Sequence, residues 1–119
     1  RGMGTRVELR SSDPSCNPYL EMALCLLAGL DGIERGLTPP ESITENIFDM
    51  SDEERKADGI DSLPGSLEEA VNELEKSDFC KEALGDHVFK KFIEAKRKEW
   101  DGYRTSISQW EIDNYLARY

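Results

Sequence analysis

The chain has 119 residues, of which 25 are acidic and 15 are basic, so its formal net charge at pH 7 is -10. This length suits one domain. The acidic balance argues against phosphate backbones and anionic lipid surfaces as partners, because the average surface potential repels them. No apolar run approaches the roughly 18 residues that cross a bilayer, and no signal segment opens the chain. We expect a cytoplasmic protein that binds neither nucleic acid nor membrane.

The three cysteines, Cys16, Cys25 and Cys80, form no CxxC pair. An odd count without such a pair favours reduced thiols in an intracellular protein over a disulfide framework. Cys16 and Cys25 are interpreted as packing residues, since no neighbour in the sequence is of the kind that lowers a thiol pKa. His87 is the only histidine, so a Cys/His metal site is not expected. It is interpreted as a surface or capping residue rather than a general base.

The first predicted element is a short strand over residues 5–10, where charged and apolar side chains alternate. Arg6, Glu8 and Arg10 then share one face, with about 6.5 to 7 Å between successive members. A glutamate offers hard oxygens to Mg²⁺ or Mn²⁺, and arginines clamp phosphate or carboxylate. The alternative is an edge strand whose charges are solvated and mutually paired, and spacing alone favours that alternative.

Six helices are predicted after this strand, from capping and helix-breaking residues. Their predicted bounds are approximately residues 18–35, 52–58, 67–76, 79–84, 87–104 and 109–118. Serines at positions 51, 66 and 108 and Asp78 are the predicted caps, and Ser51 with Glu54 and Ser66 with Glu69 have capping-box spacing. The fold class is therefore mainly α, with one short N-terminal strand.

The first helix starts at the cap Asn17 and carries a single charge, Glu21, between Tyr19 and Leu30. A helix that is apolar on every side must be buried on every side, and the rest of the chain is too charged to wrap it. We therefore expect other parts of a longer protein, or other subunits, to cover this helix. The chain opens on Arg1 rather than on methionine, which agrees with that expectation.

The last two predicted helices are rich in aromatic and basic residues. In the helix over 87–104, the basic run is interpreted as a solvated face on which Glu94 pairs with Lys98, rather than as an anion site. In the helix over 109–118, dense aromatic residues indicate docking onto a neighbour, because a free terminus is normally polar. No complete catalytic constellation lies within the chain.

Four segments carry a resemblance to a known family. They read RVELRSSDPSCNPYLEMALCLLAGLDGI, TPPESITENIFDMSDEER, LPGSLEEAVNELEKS and WEIDNYLARY. Together they closely resemble the C-terminal part of bacterial type I glutamine synthetases, across essentially the whole chain. The resemblance implies part of an α+β catalytic domain in a cytoplasmic ATP-dependent ligase. That enzyme joins ammonia to glutamate through a γ-glutamyl phosphate, with ATP and Mg²⁺ or Mn²⁺.

The resemblance also assigns roles to residues of this sequence. Glu8 resembles the ligand of the metal that positions the ATP phosphates, and Arg10 resembles the arginine that binds glutamate and the transferring phosphoryl group. Arg6 belongs to the same motif, near the nucleotide. The family assembles as a dodecamer of two hexameric rings, with active sites shared between subunits, and the C-terminal helix is implied to tie the rings together.

Two further positions bear on regulation. Phe48 stands where one branch of the family has a tyrosine that is adenylylated, so control by adenylylation is not expected here. Glu99 lies in the segment EWDGY, which resembles a segment involved in glutamine feedback in the other branch. We expect the chain to be a catalytically incompetent C-terminal fragment. The alternative is a stand-alone helical interaction module that kept the scaffold without catalysis.

Overall fold

The structure is a computed structural model that describes Gly4 and residues 8–118, apart from the side chain of Ala117. Its elements are α1 (Pro18–Glu34), a 3₁₀ helix (Ile47–Asp49), α2 (Asp52–Ala57), α3 (Leu67–Lys76), α4 (Asp78–Arg104), α5 (Gln109–Tyr115) and a second 3₁₀ helix (Leu116–Arg118). They fall into two compact units, Arg1–Leu63 and Pro64–Tyr119. The prediction of a mainly α chain is confirmed for the described residues. None of the helices found there is long and apolar enough to cross a bilayer.

The predicted strand over residues 5–10 is not seen. Its positions 8, 9 and 10 are irregular, and positions 5–7 lie outside the described residues. A strand requires a partner whose backbone N–H and C=O groups complete the ladder. The described part of the chain contains no strand that could supply one.

Helix α1 begins and ends as the sequence predicts, within one residue. The side chain of Asn17 accepts hydrogen bonds from the N–H groups of Tyr19 at 3.0 Å and Leu20 at 3.3 Å, which satisfies donors of the first turn. At the other end Gly36 has φ 61°, and the N–H of Leu37 donates to the carbonyl of Gly32 at 2.9 Å. This Schellman arrangement needs a residue that tolerates positive φ, which explains the glycine.

Although α1 is apolar, it contains no buried residue. Tyr19 is 85% exposed and Ile33 is 77% exposed. The described chain therefore leaves this helix uncovered, in agreement with the expectation that its partners lie elsewhere.

Within the second unit, α3 and α4 pack against each other. They contribute the two buried apolar side chains of the described residues, Val71 on α3 and Phe89 on α4. Arg97 of α4 reaches across to α3, where it donates to Asn72 Oδ1 at 2.7 Å and pairs with Glu75. The unit therefore has a small core flanked by a polar bridge.

The predicted helices over 79–84 and 87–104 are seen as two helical stretches within α4, which Gly85 divides by its non-helical conformation, although the first stretch begins at Asp78. Gly85 has φ 71° and ψ 154°, a conformation that only glycine adopts readily. The predicted cap also changes, because Ser77 accepts from the N–H of Cys80 at 3.1 Å. Asp78 is instead the first residue of the helix.

Other local predictions are partly revised. Ser51 and Ser108 form full capping boxes with Glu54 and Glu111. Ser66 caps α3, but its intended partner Glu69 accepts from the N–H of Gly65 instead. The helix predicted over 109–118 is α-helical only to Tyr115 and continues as the second 3₁₀ helix.

Candidate functional site

The segment that follows Arg10 forms a tight turn before α1. The N–H of Cys16 donates to the carbonyl of Asp13 at 3.0 Å, and Pro14 holds the second position, where its fixed φ suits the turn. The N–H of Ser15 donates to Asp13 Oδ1 at 2.7 Å. These local bonds give the connection between the predicted site and α1 a defined conformation.

Both ends of this turn are tied to one carboxylate on α1. The hydroxyl of Ser12 donates to Glu21 Oε1, and the thiol of Cys16 donates to Glu21 Oε2 at 2.8 Å. The hydrogen bond from Cys16, followed by that from Ser12, lowers the pKa of Glu21. The same bond to Glu21 raises the pKa of Cys16. The thiol therefore stays a donor and the carboxylate an acceptor at neutral pH.

Cys16 and Cys25 are both exposed, so neither shows the predicted packing within the described chain. The thiol of Cys16 is a polar contact of the turn rather than a packing group. Its raised pKa agrees with the absence of an activating neighbour that the sequence predicted.

Two of the three predicted site residues are brought together. Arg10 Nη2 lies 2.8 Å from Glu8 Oε2, and Arg10 Nε lies 3.2 Å from the same oxygen. The Arg10 side chain is 86% exposed and that of Glu8 is 38% exposed, so the pair faces outward. Arg6, the third residue of the motif, lies outside the described residues.

Glu8 fits the role of one metal ligand, but the described residues do not form a complete metal site. Nowhere in Gly4 and residues 8–118 do three or more His, Cys, Asp or Glu side chains group as they would around an ion. Mg²⁺ is commonly held by one or two carboxylates, with waters and substrate phosphates completing the shell. A single glutamate oxygen at this position is compatible with that pattern, and other protein ligands would have to come from outside these residues.

The positions to which the resemblance assigned a part in regulation are Phe48 and Glu99. Phe48, on the first 3₁₀ helix, is 98% exposed. Glu99 on α4 pairs with Lys96 at 2.7 Å.

Two other predictions concern α4. His87 is exposed, as a surface residue would be. Glu94 pairs with Lys91 at 2.6 Å, so the predicted Glu94–Lys98 pair is wrong.

Comparison with known proteins identifies the family. The model of the glutamine synthetase catalytic domain matches residues 1–115. The chain belongs to the glutamine synthetase family. Its motif around Glu8 and Arg10 therefore lies within a glutamine synthetase catalytic domain, as the resemblance implied.

Individual glutamine synthetases align with nearly the whole chain. The chain is 54% identical over 119 residues to the glutamine synthetases of Clostridium saccharobutylicum and Thermus thermophilus. It is 52% identical over 116 residues, or 98% of its length, to that of Methanococcus voltae. The first two alignments cover 100% of this chain but 27% of the relative, and the third covers 26% of the relative. The chain thus spans about a quarter of a glutamine synthetase and corresponds to its C-terminal part.

Sequence reasoning missed Glu21. The sequence showed that Glu21 is a single charge in an apolar stretch of helix. It did not predict that Ser12 and Cys16, nine and five residues earlier, donate hydrogen bonds to its carboxylate. A pattern that could have predicted these contacts is a single carboxylate in the first turn of a helix, preceded within nine residues by two short side chains that donate hydrogen bonds.

Proposed function

We propose that the protein containing this chain is a glutamate–ammonia ligase that makes glutamine from glutamate and ammonia with ATP. In this reaction the γ-phosphoryl group of ATP passes to the γ-carboxylate of glutamate, and ammonia then displaces phosphate from the γ-glutamyl phosphate. The proposal is supported by the family membership of residues 1–115 and by the side chains of Glu8 and Arg10, which lie together within that match.

Arg10 is proposed to bind glutamate and the transferring phosphoryl group. Its Nε and Nη2 groups both point at one carboxylate oxygen of Glu8. The same fork of N–H donors suits phosphate and carboxylate oxygens. Those oxygens keep their negative charge through the transition state, so a positioned guanidinium lowers the barrier. Arg6 is proposed to contact the nucleotide from the same motif.

Glu8 is proposed to hold one metal, Mg²⁺ or Mn²⁺, that accompanies the ATP phosphates. A bound divalent metal would neutralise phosphate charge. This chain contributes one carboxylate, that of Glu8, beside the guanidinium of Arg10. An anionic group for the metal and a cationic group for the phosphate are therefore adjacent. Because other ligands would have to come from outside the described residues, we expect the 119-residue chain alone to show no synthetase turnover.

The decisive experiment substitutes Glu8 and Arg10 in the full-length enzyme. Glu8→Ala and Arg10→Ala should each lower kcat/KM by about 100-fold or more, the scale of losing one group that stabilises transition-state charge. Glu34→Ala and Arg35→Ala serve as controls, because they change the same residue types on the exposed end of α1. Activity within twofold of wild type in both site variants would refute the proposed roles.

We further propose that α5 joins subunits in a dodecamer of two hexameric rings. Trp110 on α5 is 62% exposed and Leu116 on the adjoining 3₁₀ helix is 74% exposed, and clustered exposed apolar side chains mark interaction surfaces. Replacing both by serine in the full-length enzyme should reduce the mass measured by light scattering from twelve subunits toward six. A variant that keeps twelve subunits would contradict this role.

Regulation is proposed to act without adenylylation, because Phe48 has no hydroxyl to modify. Glu99 is instead proposed to take part in feedback inhibition by glutamine. Glu99→Ala in the full-length enzyme should raise the glutamine concentration that inhibits by half, whereas Glu94→Ala, which breaks a similar exposed pair on α4, should not. Equal inhibition of Glu99→Ala and wild type would remove Glu99 from this role.

A further inference from the structure

We propose that Glu21 is a positioning residue for the Glu8–Arg10 pair. Its carboxylate binds both ends of the turn between Arg10 and α1, through Ser12 and Cys16. This inference rests on the proposed function of Glu8 and Arg10, and it adds a third residue that touches neither substrate nor metal.

The chain between Arg10 and this carboxylate is short. Ser12 follows Arg10 by two residues, which span at most about 7 Å even when fully extended. The backbone that carries Arg10 therefore cannot move far while the hydroxyl of Ser12 remains bound to Glu21. Because Arg10 contacts Glu8 at 2.8 Å, a constraint at Ser12 limits both members of the pair.

The second contact, from the thiol of Cys16 to Glu21, restrains the other end of the turn. The turn between Asp13 and Cys16 already has its own hydrogen bond, so it behaves as a compact unit. With Ser12 on one side of that unit and Cys16 at its end, a single bound carboxylate orients the whole turn against α1. One contact alone would leave the turn able to pivot.

Glu21 itself is held by the helix. Its N–H donates to the carbonyl of Asn17 at 3.0 Å, and Asn17 caps the same turn. A carboxylate in the first helical turn is also favoured by the helix dipole. That general benefit does not require Ser12 or Cys16, so the two contributions can be separated by mutating the donors.

The test uses the full-length enzyme and measures kcat and the MgATP concentration that gives half-maximal rate. Glu21→Gln keeps the side-chain shape but removes the charge and one acceptor oxygen. We expect the half-saturating concentration to rise about fivefold, the scale of losing the net contribution of one typical hydrogen bond. The matched control Glu34→Gln, an exposed carboxylate at the other end of α1, should leave it unchanged.

A double-mutant cycle distinguishes positioning from a general effect on the helix. If Glu21 acts through Ser12, then Ser12→Ala combined with Glu21→Gln should be no worse than Glu21→Gln alone. Multiplying effects in the double variant would overturn the inference. So would a Glu21→Gln enzyme indistinguishable from Glu34→Gln.

Cys16 supplies a conservative pair that does not depend on how Glu21 variants fold. Cys16→Ser retains a donor and should keep the wild-type half-saturating concentration, whereas Cys16→Ala should raise it. Equal values for the two would count against the inference. Its failure is separable from failure of the proposed function, because Glu8→Ala would still lower kcat/KM by about 100-fold or more if only the role of Glu21 were wrong.

Discussion

Residues 64–119 bury side chains of their own, whereas residues 1–63 fully bury none among those described. In the second unit Val71 and Phe89 are 3% and 7% exposed, and α3 and α4 pack together. In the first unit the most apolar helix, α1, has every side chain at least partly exposed. Both units have well-capped helices, so the difference lies in packing rather than in helix formation.

This contrast distinguishes a unit stabilised by packing among its own helices from one that needs contacts with other parts of the protein. An amphipathic helix such as α3 has one apolar face, which a single neighbour can cover. A helix that is apolar all round needs neighbours on several sides, and α1 does not find them within the described chain. The unit that holds the candidate site is thus the one that depends most on the rest of the protein.

The largest effect on stability should come from the core of the second unit. Phe89→Ala in the 119-residue chain should cost about 3–5 kcal/mol, from lost burial and the cavity left behind. Thermal or urea unfolding followed by circular dichroism would measure it. Phe48→Ala is the matched control, because Phe48 is 98% exposed, and should change stability by less than about 0.5 kcal/mol. Equal effects would show that the second unit has no functioning core.

A polar substitution on α1 should sharpen the contrast between units. In the 119-residue chain Leu26→Gln should be nearly neutral, since Leu26 is 66% exposed. The same change at half-buried Leu74 on α3 should cost about 1–3 kcal/mol. In the full-length protein we expect Leu26→Gln to become destabilising by a similar amount, measured by its unfolding transition. A neutral result there would mean that α1 remains uncovered.

The polar bridge between α3 and α4 should have a smaller effect. Arg97→Ala removes contacts with Asn72 and Glu75, yet the Arg97 side chain is 35% exposed, so we expect a loss of about 1 kcal/mol. Lys91→Ala breaks only an exposed pair within α4 and should cost less. Urea midpoints of the two variants provide the comparison, and a larger loss for Lys91→Ala would contradict it.

The smallest effect should be the pH response of the α5 cap. The N–H and hydroxyl of Ser108 donate to Glu111 and lower its pKa. The stabilisation is therefore complete above the ordinary glutamate pKa of about 4.3 and is lost as pH falls through the lowered folded value. Amide hydrogen exchange in α5 should accelerate there relative to the intrinsic rate, and Glu111→Gln should remove this dependence. An unchanged dependence in Glu111→Gln would exclude this carboxylate as its source.

Several features were predictable from sequence because their causes are local. Asn17, Ser51 and Ser108 define helix starts within a few residues of chain, and Gly36 defines an end. Mutual pairing of Glu8 and Arg10 was one of the two alternatives that the sequence offered, and the pair forms although residues 8–10 are irregular rather than a strand. Gly85 was likewise predicted to separate two helices, and its non-helical backbone divides α4 at that position.

The sequence by itself determined the helical class, most of the caps, the apolar character of α1 and, through its motifs, the resemblance to glutamine synthetases. Only the tertiary structure decided that Glu21 binds Ser12 and Cys16, and that Arg97 joins α4 to α3. The physical reason is distance along the chain. The N-caps depend on neighbours two or three residues apart, whereas these contacts depend on how the backbone folds back between residues five to twenty-five positions apart.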